Sequence, residues 1–101
     1  MNQEELRKAA ELRRKVGTRC QVTGETGWVD YHGTRIVEFD SDTITLCAGG
    51  WKSATTKRRM NQASESFGLG YRVYQEDYRW WVEYRGDTYV FDRDTFYLRR
   101  Q

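Results

Sequence analysis

Most of the chemistry this sequence offers lies in one stretch: Ala48-Gly49-Gly50-Trp51-Lys52-Ser53-Ala54-Thr55-Thr56-Lys57-Arg58-Arg59-Met60-Asn61. It reads as a strand end, a Gly-Gly turn and the start of a basic helix. The first turn of a helix presents N–H groups with no intrahelical partner and a partial positive charge. Glycines let a ligand approach the main chain, and Lys52, Ser53 and Thr55 add donors. This is the composition of a phosphate or carboxylate cradle. It is equally the composition of an ordinary strand-to-helix turn capped by Ser53. The G-x-x-x-x-G-K-[ST] spacing of a P-loop is absent. Further along, Lys57, Arg58 and Arg59 follow one another at about 100° each, so together they span about 200° of the helix and cannot all meet one flat surface. Arg58 shares the outward side with Asn61, while Lys57 and Arg59 flank the apolar stripe.

A second constellation is Arg79-Trp80-Trp81-Val82-Glu83-Tyr84-Arg85. Adjacent strand residues point to opposite faces, so Trp80, Val82 and Tyr84 share one and Arg79, Trp81, Glu83 and Arg85 the other. An outward Trp81 beside arginines is a stacking and cation–π surface of the kind that single-stranded nucleic acid uses. Protein hot spots have the same composition.

Catalytic and metal chemistry find little here. His32 is the only histidine and falls in a His-Gly turn, and no nucleophile-elbow pattern surrounds any Ser or Cys. Cys20 and Cys47 lie 27 residues apart, outside any CxxC spacing; both are expected as reduced thiols. Asp92 and Asp94 flank a turn and read as turn residues. No enzyme activity, metal site or cofactor is expected.

These residues must be carried by a chain of 101 residues, the length of one domain, taken as 1–101. Fifteen percent of the residues are aromatic, which argues against disorder. No apolar run reaches the ~20 residues of a membrane helix, and the polar, acidic start is unlike a secretory signal, so a cytoplasmic location is expected, with no membrane partner. The net charge of +2 is small, but its distribution is uneven: residues 1–20 carry +3, residues 21–51 carry −4, residues 52–59 carry +4 and residues 60–101 carry −1. Both positive segments read as helical.

Residues 3–16 have the pattern of an amphipathic helix, with Leu6, Ala9, Ala10, Leu12 and Val16 on one side and Gly17 as its stop. This N-terminal element, 1–17, would pack on its own sheet or pair with a second copy as a homodimer. Residues 18–101 form the core. Short alternating runs at 20–22, 27–31, 34–39 and 43–47 predict an antiparallel meander, with turns at His32-Gly33 and Asp40-Ser41-Asp42. A helix follows over 54–67, capped by Ser53, with Thr56, Met60, Ala63 and Phe67 in a stripe and Gly68-Leu69 as a Schellman stop. Strands return at 71–75, 79–84, 88–91 and 96–98, with Gly86-Asp87 as a two-residue hairpin loop. The fold class is α+β: an N-terminal helix and an antiparallel β meander, curled or partly closed into a barrel, with one central helix packed on it.

The stretch Gly49–Asn61, continued by Phe67-Gly68-Leu69 and the aromatic strands after it, resembles a family of small bacteriophage proteins. They share a Gly-Gly-Trp-x-[Thr/Ser]-x-Thr-Thr-x-Arg-Arg-Met-Asn pattern followed by a Tyr- and Trp-rich hairpin. The resemblance spans roughly residues 32–98 and leaves the first helix outside. It implies a phage origin, hence the host cytoplasm, and a small non-catalytic binder. The resulting expectation is a module recognising nucleic acid or a nucleoprotein through Trp51, Lys52, Ser53, Thr55, Lys57, Arg58, Arg59 and Asn61, extended by Arg79 and Trp81. The alternative is an anti-defence protein that inhibits a host nuclease complex by protein–protein binding, as anti-CRISPR proteins do, with Asp30, Glu38, Asp40 and Asp42 standing in for phosphates.

Overall fold

The computed structural model describes residues 3–100. The chain runs α1 (Gln3–Arg13), β1 (Thr18–Thr23), β2 (Thr26–Tyr31), β3 (Thr34–Phe39), β4 (Thr43–Cys47), α2 (Ala54–Phe67), β5 (Tyr71–Glu76), β6 (Arg79–Tyr84), β7 (Asp87–Val90) and β8 (Thr95–Arg99). This is the expected α+β class. The strands form two open antiparallel sheets, one ordered β1-β2-β3-β4-β8 and one ordered β5-β6-β7, and neither closes into a barrel.

The last strand does not extend the second meander. It returns to the first sheet, where Ile44 faces Leu98 and Leu46 faces Phe96. Phe96 and Leu98 alternate with polar residues, so only this register continues the apolar row of β4 on the core side. In β3 both Ile36 and Val37 are buried. Val29 pairs with Val37 and Asp30 with Arg35, so Ile36 is an extra residue in a bulge, and two consecutive side chains turn inward. One continuous core joins Val29, Ile44 and Leu46 of the large sheet to Leu12, Met60, Val73 and Val82. The smallest molecular dimension is 16 Å, the depth of two layers.

α1 is shorter than its apolar pattern suggested. Beyond Arg13 the N–H groups of Arg14 and Lys15 bond to Glu11 and Leu12, three residues back, and the tightened turn swings Val16 outward to 79% exposure. Leu6 is exposed as well. Ala9 and Leu12 are buried, and α1 packs against β1 and α2 of its own chain. The Cys20 thiol donates to the Ala9 carbonyl at 3.4 Å, and Arg13 donates to the Cys20 carbonyl at 3.1 Å.

α2 begins and ends where its caps require. The Ser53 hydroxyl accepts the Thr56 N–H at 3.1 Å, Gly68 takes the left-handed conformation, and the Leu69 N–H reaches the Ser64 carbonyl at 2.9 Å. The hairpin after β6 turns on Arg85-Gly86 rather than Gly86-Asp87, because Tyr84 pairs with Asp87. A two-residue loop of this kind needs positive φ at both central positions, and glycine takes the second.

Candidate functional site

The Gly-Gly turn is closed by the chain itself. Gly49 and Gly50 both have positive φ, and the Ala48 N–H donates to the Asp94 carbonyl at 2.8 Å. The Asp94 carboxylate accepts the Gly50 N–H. The anion expected from outside is thus supplied internally, and its negative charge disfavours a phosphate at that spot. This corrects the cradle reading. Ser53 serves as the cap of α2 through its hydroxyl. Thr55 is half-buried in a cavity of about 250 Å³ walled by Tyr31, His32, Thr34 and Trp51. His32 is a framework residue: its N–H donates to the Gly17 carbonyl at 2.8 Å, its ring lies 4.2 Å from that of Tyr31, and a Cβ on Gly17 would strike it.

The cations divide into two groups. Arg59 leans toward β1, where its Nε donates to the Thr18 hydroxyl at 3.1 Å and a terminal nitrogen to the Gln62 side chain at 3.0 Å; its guanidinium lies 5.7 Å from the Tyr31 ring. Asn61 turns toward β5 and has both ends of its amide engaged there by Val73. Among the predicted contacts, Arg59 and Asn61 therefore hold the fold together. Arg58 is exposed and Lys57 half-buried on the remaining side of α2. Arg58 stands one turn before Asn61 in the i,i+3 row that continues to Ser64.

Lys52 crosses to the second sheet. Its ammonium donates to the Phe91 carbonyl at 2.6 Å and lies 5.0 Å from the Phe91 ring. There it borders a cleft of about 330 Å³ whose walls include Gln75, Tyr78, Arg79, Phe91 and Asp92. Lys52 and Arg79, distant in sequence, share this cleft. Trp51, 74% exposed, precedes Lys52, and Tyr78, 98% exposed, stands at the tip of the β5–β6 hairpin. Sequence reasoning missed Tyr78, because Glu76-Asp77-Tyr78 contains no glycine to mark a tight turn. Trp80 is buried under the cleft, in edge contact with Phe91. Trp81, half-buried, belongs to the opposite face, level with Tyr74 and Val90, and its indole N–H donates to the Glu76 carbonyl at 3.1 Å. Arg79 and Trp81 share a strand face by alternation; Arg79, at the hairpin end of β6, also borders the cleft, while Trp81 stiffens the hairpin.

A tight glycine turn, a capped basic helix and an aromatic hairpin are the parts that carry the phage resemblance. Residues 2–98 match the Kyanoviridae Gp96 protein family. The chain belongs to that family. The match runs through α1, which the resemblance had left outside. No curated protein and no solved structure matches the sequence. Among the described residues no helix is long and apolar enough to cross a membrane.

Proposed function

We propose that this member of the Gp96 family is a non-catalytic module that binds nucleic acid with the surface made by the Gly-Gly-Trp turn, the outward side of α2 and the tip of the β5–β6 hairpin. The observation that carries the reading is one cleft bordered by both Lys52 and Arg79 and by the exposed Tyr78, with the exposed Trp51 next to Lys52 in the chain. Lys57 and Arg58 extend the positive charge along α2. Ser53, Arg59 and Asn61 support this surface from within, and Trp81 stiffens the hairpin that bears Arg79.

The competing reading is an anti-defence inhibitor whose carboxylates imitate phosphates. It is weakened by what three of those carboxylates already do. Asp30 and Glu38 flank Arg35 at 2.9 and 3.8 Å, and Asp40 accepts the N–H groups of Asp42 and Thr43.

The test is fluorescence anisotropy of a labelled oligonucleotide with the full chain between 50 and 200 mM salt. Four neutralised phosphates give a log–log slope of about −3, and Lys57→Glu/Arg58→Glu flattens it by about half. A salt-independent signal, or a partner captured from nuclease-treated host lysate with no oligonucleotide binding, rejects the reading in favour of a protein target.

A further inference from the structure

Three hairpins of this chain turn on two residues with positive φ: His32-Gly33 at 49° and 82°, Arg85-Gly86 at 51° and 85°, and Asp77-Tyr78 at 53° and 64°. Glycine holds the second place in the first two. In the third it is a tyrosine, whose side chain crowds the backbone in the left-handed region. Nothing is gained by burial, since the Tyr78 ring is 98% exposed. A bulky residue held in a strained conformation and in water points to a contact made with something else.

The surroundings say what kind of contact. Lys52 is held in place by the Phe91 carbonyl at 2.6 Å and keeps further N–H groups for a ligand. Among the described residues neither Lys52 nor Arg79 forms an ion pair. Gln75 and Asp92 add hydrogen-bonding edges to the same cleft. A simple anion would use the cations and leave the ring and these edges idle. A duplex offers phosphates but keeps its base faces stacked on one another. An unpaired nucleotide uses all of them: a base face for the ring, base edges for Gln75 and Asp92, and phosphate for Lys52 and Arg79.

We infer that Tyr78 is a stacking platform for an unpaired base of single-stranded nucleic acid, with Lys52 and Arg79 on the adjoining phosphates. This rests on the nucleic-acid reading above and narrows it to unpaired strands.

The experiment measures anisotropy of three labelled probes with the full chain: a 15-nucleotide oligothymidylate, a 15-nucleotide oligouridylate, and a 15-base-pair duplex of the thymidylate with its complement. At least one single strand binds roughly tenfold or more tightly than the duplex. Tyr78→Gly weakens that binding roughly tenfold, the effect of losing one stacked base, while raising Tm by about 4 °C as the turn relaxes. Tyr78→Phe keeps the affinity. Loss of affinity in a variant of higher Tm separates contact from folding. If the duplex binds as tightly with a steep salt slope and Tyr78→Gly changes nothing, this inference fails and the broader reading stands. If none of the probes binds, both fail.

Discussion

Asn61 on α2 meets Val73 on β5 twice: its amide nitrogen donates to the Val73 carbonyl at 2.8 Å, and its amide oxygen accepts the Val73 N–H at 2.7 Å. One turn further on, Ser64 repeats the arrangement with Tyr71, donating to its carbonyl at 2.7 Å and accepting its N–H at 3.1 Å. Residues 71 and 73 turn their peptide groups to the same edge of the strand, and residues 61 and 64 lie on the same face of the helix. Two helix side chains thus take the place of a neighbouring strand. An open strand edge is a template for unwanted pairing, and here α2 covers it. The Tyr71 hydroxyl adds a bond to the Met60 carbonyl at 2.6 Å, and burial pushes the phenol well above its usual range, so it remains a donor.

Removing the amide tests this edge. Asn61→Ala leaves two backbone groups of Val73 without partners and is expected to cost about 2–3 kcal/mol. Asn61→Asp keeps the acceptor for the Val73 N–H but sets a carboxylate oxygen against the Val73 carbonyl, so it regains stability relative to Asn61→Ala only at acid pH, where the protonated group can donate. Urea unfolding measures both, and hydrogen exchange at the Val73 amide should quicken in Asn61→Ala before global unfolding does. Equal stability of wild type and Asn61→Ala would contradict the edge-covering role.

The two glycines of the turn differ in what surrounds them. A Cβ on Gly49 would lie 2.5 Å from Thr34 Cγ2, whereas none of the surrounding atoms lies within 4 Å of a Cβ on Gly50. Both have positive φ. Gly50→Ala therefore carries only the backbone penalty of about 1 kcal/mol, and Gly49→Ala roughly 1–2 kcal/mol more. Adding Thr34→Ser to Gly49→Ala removes the clashing methyl and should recover part of the difference, which a double-mutant cycle reads directly.

The two thiols should react at different rates. Cys20 is buried, and loss of solvation raises its pKa, with Arg13 acting in the opposite direction to a lesser extent. Cys47 is half-buried beside the Thr95 hydroxyl at 3.7 Å. Alkylation of the folded protein followed by mass spectrometry is expected to mark Cys47 first, with Cys20 modified only once denaturant opens the α1–β1 contact. Equal rates would mean that α1 does not stay on β1.

Acid sensitivity should trace in part to Asp40. Its carboxylate accepts the N–H groups of Asp42 and Thr43, each at 2.8 Å, and these bonds lower its pKa below the ordinary 3.8. A depressed carboxylate pKa stabilises the fold above 3.8, and the contribution fades as pH falls through the lower folded value. Asp40→Asn keeps an acceptor oxygen but cannot titrate. Its urea midpoint should fall less than that of wild type between pH 5 and pH 3, and an identical fall in both would remove Asp40 from the account.

Local features were legible without coordinates. The bounds of α2, the Ser53 cap, the Gly68 stop and the inward faces of β4 and β6 follow from periodicity and capping, which act within a few residues. The phage kinship was legible too, while the Gly49–Asn61 run remained open in other respects. The sequence left open what each polar side chain in that run would meet. Asp94 fills the place expected for a phosphate, Asn61 and Arg59 turn inward, β8 returns to β4, and Lys52 crosses to Phe91. Each of these depends on a partner dozens of residues away or on the other side of a helix, and spacing along a chain carries no record of such meetings. They arise only when two sheets and two helices close on one core and every buried donor must find the acceptor that happens to lie opposite.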